Sequence, residues 1–82
     1  MSVTVSEVCA LVAYQLGHIK VAAEDHIVED LGAESADVIN IIAAIEEKYS
    51  ILIEDTEIPD LLTVHDLLRL IRERTAGHQP AP

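Results

Sequence analysis

The sequence predicts an all-α fold: a small antiparallel bundle of three main helices plus one short helix, with a long first loop. Three observations carry that expectation. Apolar residues recur at helical spacing in three separate stretches, and capping residues stand at the edges of those stretches. The one short apolar run that reads as a strand, Ile51-Leu52-Ile53, has no second strand to pair with. At 82 residues the chain makes a single small domain, of a size that hides only about 60% of its unfolded surface. With no Phe or Trp and two Tyr, the core must be built from Ile, Leu, Val and Ala.

The first helix is expected over Thr4–Leu16. Val5, Val8, Val12 and Leu16 fall on one inward face with Cys9 beside them. Thr4 and Glu7 have the spacing of a capping box, and Gly17 stands where a left-handed C-cap belongs. The connection from His18 to about Glu34 carries Ile19, Val21, Ile27, Val28 and Leu31 without a period. A connection that long needs something to hold it, so its apolar residues are expected to pin it across the bundle.

The second helix is expected over Ser35–Tyr49. Val38, Ile41, Ile42, Ile45 and Tyr49 form its inward row, and Glu46 and Glu47 face outward. Asp37 in the first turn and Lys48 in the last suit the helix dipole. Ile51-Leu52-Ile53 is expected as a buried turn. A short helix is expected over Asp55–Leu61, limited to about a turn by Pro59, which has no N–H to donate. The last helix opens at Thr63, paired with Asp66 in a second capping box, and buries Val64, Leu67, Leu68 and Ile71. Arg69, Arg72 and Arg74 gather toward its C-terminal end, where the dipole favours them. The expected organisation is one helical bundle over residues 1–75 and a flexible C-terminal tail over residues 76–82.

The net charge is −10, and from Val21 to Leu68 thirteen acids stand against one base, Lys48. Such a surface repels phosphate, so nucleic acid is not an expected partner. It attracts and steers partners with basic patches. The single cysteine, Cys9, excludes an internal disulfide; it is expected as a small buried hydrophobe in a cytoplasmic chain. Neither a signal peptide nor a membrane span is expected. His18, His26, His65 and His78 are dispersed, and Glu46 and Glu47, adjacent on a helix, point apart. No metal site and no catalytic constellation is expected. The chain is expected to be a monomer and not an enzyme.

One segment carries chemistry. Val28-Glu29-Asp30-Leu31-Gly32-Ala33-Glu34-Ser35 ends in a serine at the head of the second helix. A serine there is most often an N-cap. A helix N-terminus is also a natural seat for phosphate, because free backbone N–H groups and the positive dipole end point at it. A phosphodiester tethered at Ser35 would gain about 0.3–1 kcal/mol from that field. Gly32 lets the chain turn sharply just upstream and leaves room for a modifying enzyme.

The same segment resembles the attachment motif of acyl carrier proteins, in which Asp-Leu-Gly leads to an acid and a modified serine. From Val28 to Ile71 the register follows that family without a gap: the apolar row of the second helix, Glu46-Glu47, Tyr49, Ile53 followed by acids, and Thr63-Val64. Gln15-Leu16-Gly17 fits as well. The resemblance implies a carrier that holds acyl groups as thioesters on 4′-phosphopantetheine, attached covalently to Ser35. It implies a phosphopantetheinyl transferase as one partner. Others are acyl-transferring, elongating or ligating enzymes with basic docking patches, in fatty acid, lipid or polyketide-type synthesis. The residues such partners would touch are Glu34, Ala36, Asp37, Ile39, Ala43, Glu46 and Glu47.

The departures from the family pattern matter too. Glu34 and Ala36 stand where Asp and Leu are usual around the serine, and Asn40 replaces a common acid. Ala36 and Ala43 are small where docking positions tend to be large, and each missing anchor is worth about 1.5–3 kcal/mol if fully buried. A specialised carrier with its own partner enzymes is therefore expected. Two other readings stay open. A peptidyl carrier shares bundle and arm, but often has Gly where Ala33 stands and His or Asp at Glu34. An interaction bundle that has lost the arm is the other, given Ala36 beside the serine.

Overall fold

Capping chemistry sets the helix ends. In the computed structural model, which describes residues 3–17 and 20–76, α1 (Val5–Leu16) opens on the expected capping box. Glu7 N–H donates to Thr4 Oγ1 at 3.2 Å and Thr4 N–H donates to Glu7 Oε1 at 3.4 Å. It closes at Gly17, whose φ of 72° is left-handed and whose N–H reaches the carbonyls of Ala13 and Tyr14. A second box opens α3 (Val64–Ala76): Thr63 N–H donates to Asp66 Oδ2 at 3.0 Å and Asp66 N–H donates to Thr63 Oγ1 at 3.1 Å. Between them lie α2 (Ser35–Tyr49) and a 3₁₀ helix over Asp55–Asp60, with Pro59 inside its last turn. The described residues contain no strand, only an isolated bridge between His26 and Thr63.

The three α-helices pack pairwise around one apolar cluster. Val8, Val12, Ile41, Ile42, Ile45, Val64, Leu67, Leu68 and Ile71 are buried, as their spacing predicts. Val5 is a correction, because it is exposed. Val3, just before the cap, is buried instead, and with Val8 four places into the helix it has the spacing of a hydrophobic staple. Arg72 fixes that entry, donating from Nε and Nη2 to the Val3 carbonyl at 3.3 and 3.2 Å.

The long connection is pinned, largely by backbone. Ile27 N–H donates to Leu62 C=O at 2.9 Å, and His65 N–H donates to Ala23 C=O at 2.8 Å. Ile27 is buried beneath this seam, while Val28 beside it is exposed. His18 and Ile19 lie outside the described residues, as do residues 77–82 of the expected tail, including His78; Ala76, expected to begin that tail, is the last residue of α3. The turn at Ile51–Ile53 is a further correction. Ile51 and Ile53 are 6% and 5% exposed, but Leu52 between them is 66% exposed. Extended chain alternates its side chains between two faces, so burying both neighbours turns Leu52 outward.

The second capping box has a pH consequence. Burial pushes the Asp66 carboxyl up, but the amides of Thr63 and Leu62, the Thr63 side chain and Arg69 together outweigh it, holding the pKa below the ordinary value. A depressed carboxylate stabilises the fold above its unfolded pKa, and that contribution is lost as pH falls through the folded one. Asp66→Asn should therefore start less stable at pH 7 and lose less on acidification below about pH 4 than the wild type does. Thermal melts at pH 7 and pH 3 measure this, and equal acid losses in both proteins would remove Asp66 from the explanation.

Candidate functional site

The serine at the head of α2 is free of the duty its position suggests. The N-cap is Glu34, one residue earlier, and its N–H is taken by Asp37 Oδ2 at 2.9 Å. Ser35 is the first helical residue, is exposed, and places its hydroxyl in no hydrogen bond among the described residues. The amides that open a helix have no acceptor within it, so α2 presents a positive end beside an unoccupied hydroxyl.

The approach to Ser35 is shaped by the loop. Asp30 N–H donates to the His26 carbonyl at 2.8 Å, and Gly32 N–H donates to the Val28 carbonyl at 3.0 Å. Gly32 then takes a φ of 71°, a left-handed conformation that suits glycine. A Cβ built there meets nothing within 4 Å, so the open space expected upstream of the serine is present. Ala33 follows, buried, with its N–H on the Ile27 carbonyl at 3.1 Å. Anchored on one side by Ala33 and on the other by α2, Ser35 is held in place while its side chain stays in solvent.

Two open grooves run beside α2. One, of ≈ 690 Å³, is lined by Val28, Ala33, Glu34, Ser35, Ala36, Val38, Ile39 and Ile58. The next, of ≈ 620 Å³, shares Ile39 and Ile58 and continues past Ala43 and Glu46 to Leu52, Glu54 and Asp55. Neither is lined by a Lys, Arg or His. The 3₁₀ segment forms the far wall, and none of its residues is fully buried. Polar pins hold this wall: Ile53 N–H donates to Glu46 Oε2 at 2.9 Å, and Arg74 reaches both the Leu52 carbonyl and Glu57. The Glu54 amide holds the Glu57 carboxyl below its usual value, partly opposed by burial, and Arg74 reinforces it.

The structure therefore gathers Glu34, Ser35, Ala36 and Ile39 at one groove and Ala43 and Glu46 at the other; Asp37 and Glu47 line neither. Glu47 is exposed as expected. Glu46 is half-buried and serves the Ile53 amide instead of facing wholly outward, and one oxygen of Asp37 is committed to the helix start. Sequence reasoning missed Ile58, the shared wall residue; the signal was an isolated apolar side chain inside an acidic run. It also missed the site roles of Val28, Val38 and Leu52.

Away from the grooves, Cys9 is half-buried against the core. Burial, with Asp25 and Glu24 adding, pushes its thiol pKa up, so it stays protonated at neutral pH. Among the described residues no helix is long and apolar enough to cross a membrane.

Comparison with known proteins identifies the family. The family described as "Phosphopantetheine attachment site" matches residues 6–71. The acyl carrier protein of Campylobacter jejuni subsp. doylei is 40% identical over 70 residues, 83% of this chain and 91% of that protein. Among solved structures, the acyl carrier protein of Thermotoga maritima superposes with a TM-score of 0.77 at 25% identity, covering 92% of this chain and 89% of the other. The oxytetracycline acyl carrier protein shares the fold at 21% identity, with a TM-score of 0.76 over 99% of this chain and 90% of its own. With a match that runs from the first helix into the last, this chain belongs to the acyl carrier proteins, whose members bear 4′-phosphopantetheine as a covalently attached group.

Proposed function

We propose that Ser35 is the residue that bears the arm, and that this chain holds acyl intermediates as thioesters at its far end without catalysing their chemistry. The observation that carries this reading is the division of labour at the start of α2, where Glu34 occupies the N-cap position and the Ser35 hydroxyl is exposed and, among the described residues, unbonded. A phosphodiester formed on that hydroxyl would sit against the open amides of the helix end. The groove beside it, of ≈ 690 Å³, is lined mostly by apolar side chains, a surface along which a flexible chain can lie. Glu34 and Glu47 leave an acidic rim for basic partners: a phosphopantetheinyl transferase, then acyl-transferring, elongating or ligating enzymes. The cytoplasm is the compartment that fits these partners and the single free cysteine.

Coexpression with a promiscuous phosphopantetheinyl transferase should raise the intact mass by that of the arm. An unmodified chain, tested with several transferases, would favour an unarmed interaction bundle. The finer reading, a carrier specialised for its own enzymes, rests on Ala36 and Ala43, which offer only methyl groups along the grooves. A general elongating synthase of fatty acid synthesis should use the armed wild type weakly. Ala36→Leu should lower its KM about tenfold, and adding Ala43→Met should lower it further, since each restores an anchor worth roughly 1.5–3 kcal/mol when buried. Full activity with the wild type, or no gain from the substitutions, rules out specialisation on this face.

A further inference from the structure

We propose that Leu52, at the end of the groove pair remote from Ser35, is an apolar anchor by which carrier-directed enzymes grip this chain, acting beside the docking residue Ile39 that both grooves share. The inference rests on the carrier reading and adds a specificity residue outside the serine's own surroundings. Leu52 and Ile39 are 66% and 56% exposed, and they line the same groove with Ala43 and Ile58. Leu52 is not a loose side chain. Its neighbours Ile51 and Ile53 are buried, the Ile53 N–H is held by Glu46, and its own carbonyl accepts from Arg74. The backbone on both sides is thus fixed and the isobutyl group is presented, so little conformational entropy remains to be lost when a partner covers it.

Charge says what covers it. The acids lining this groove are Glu46, Glu54 and Asp55, with no base among the lining residues. A second copy of this chain would bring the same sign to the same place and be repelled. The matching surface is an apolar pocket edged by Lys or Arg on a partner enzyme. Reach agrees. From Ser35 to Ala43 is eight residues of helix, about 12 Å, whereas a standard interface of about 800 Å² per partner is roughly 30 Å across. An enzyme that holds the Ser35 hydroxyl at its active site therefore has the reach to cover Ala43 and the groove that Ala43 shares with Leu52. With methyl groups at Ala36 and Ala43, the exposed large apolar side chains lining the second groove are Ile39 and Leu52, while Ile58 is half-buried in its wall.

A phosphopantetheinyl transferase with coenzyme A is the probe. Leu52→Ser and Ile39→Ser should each raise the KM for the carrier about tenfold with kcat near wild type, as expected for binding lost equally from ground and transition states. Leu62→Ser, also at an exposed leucine but lining neither groove, should change neither constant. A second measurement does not depend on arming: in the Ser35→Ala background, Leu52→Ser should weaken the Kd for the transferase about tenfold. Arming of the wild type with KM and Kd indifferent to Leu52 overturns the inference and leaves the carrier reading intact. No arming, with Kd still dependent on Leu52, does the reverse. Self-association of the wild type that Leu52→Ser abolishes would assign the surface to a second copy and overturn the proposal.

Discussion

Ser35→Ala should abolish arm addition entirely while leaving the fold as stable as before. The two halves of that result come from one geometry. Glu34 holds the cap position and Asp37 takes its amide, so the Ser35 hydroxyl contributes no hydrogen bond whose removal would be felt. The side chain is exposed, and alanine is at least as good a helix former as serine. Surface changes of this kind move stability by no more than about 0.5 kcal/mol. Had Ser35 been the N-cap, the same substitution would cost about 0.5–2 kcal/mol. Intact mass after coexpression with a transferase reads the first half and thermal melting reads the second. An arm found on the variant would move the site to Ser2, Ser6 or Ser50, which a peptide map distinguishes.

Ile45→Ala should produce the largest loss of stability among simple truncations. Ile45 sits in the C-terminal half of α2 at 0% exposure and is among the largest fully buried side chains. Removing its outer carbons forfeits transfer free energy and leaves a cavity, together about 2–5 kcal/mol. Against a total of about 5–15 kcal/mol for a small domain, that is a large fraction. The melting temperature should fall by at least about 10 °C, while Ile39→Ala, one and a half turns away and exposed, should shift it little. The ring packed against the core, Tyr49, has its hydroxyl on Glu7 Oε2 at 3.4 Å, which ties it away from the gap. A fall of only a few degrees would mean that the neighbouring aliphatic side chains collapse into the space more fully than close packing allows.

Much of this molecule is legible in the chain because its helices are locally specified. The boxes Thr4–Glu7 and Thr63–Asp66, the glycine at position 17 and the rows Ile41–Ile45 and Leu67–Ile71 rest on spacing alone, and the structure reproduces them. What spacing could not convey was non-local. Val5 has the right period but yields its place to Val3, which is fixed by Arg72 from the far end of the chain. Leu52 sits in an apolar triplet, and its exposure follows only once Ile51 and Ile53 are seen to be buried together. Glu46 belongs to an acidic pair that reads as solvated, yet one of the two serves the Ile53 amide seven residues on. The serine itself was legible as a helix start. That the cap falls to Glu34, leaving Ser35 unencumbered, took the backbone to decide.

The seam that holds the long connection also orders events during synthesis. Ala23 and Ile27 are tied to His65 and Leu62, well over thirty residues further along the chain. Chains leave the ribosome from their N-terminus, so the groups that tie this connection to the start of α3 do not exist until almost the whole domain has emerged. Up to that moment the serine is present, but the loop leading to it has only its local bonds and not its ties across the bundle. Attachment of the arm would then mark finished chains and pass over stalled ones. A fragment ending at Asp60 should stay unarmed in the same coexpression that arms the full chain, and one that is armed as readily would show that the transferase reads the segment around Ser35 without its distant supports.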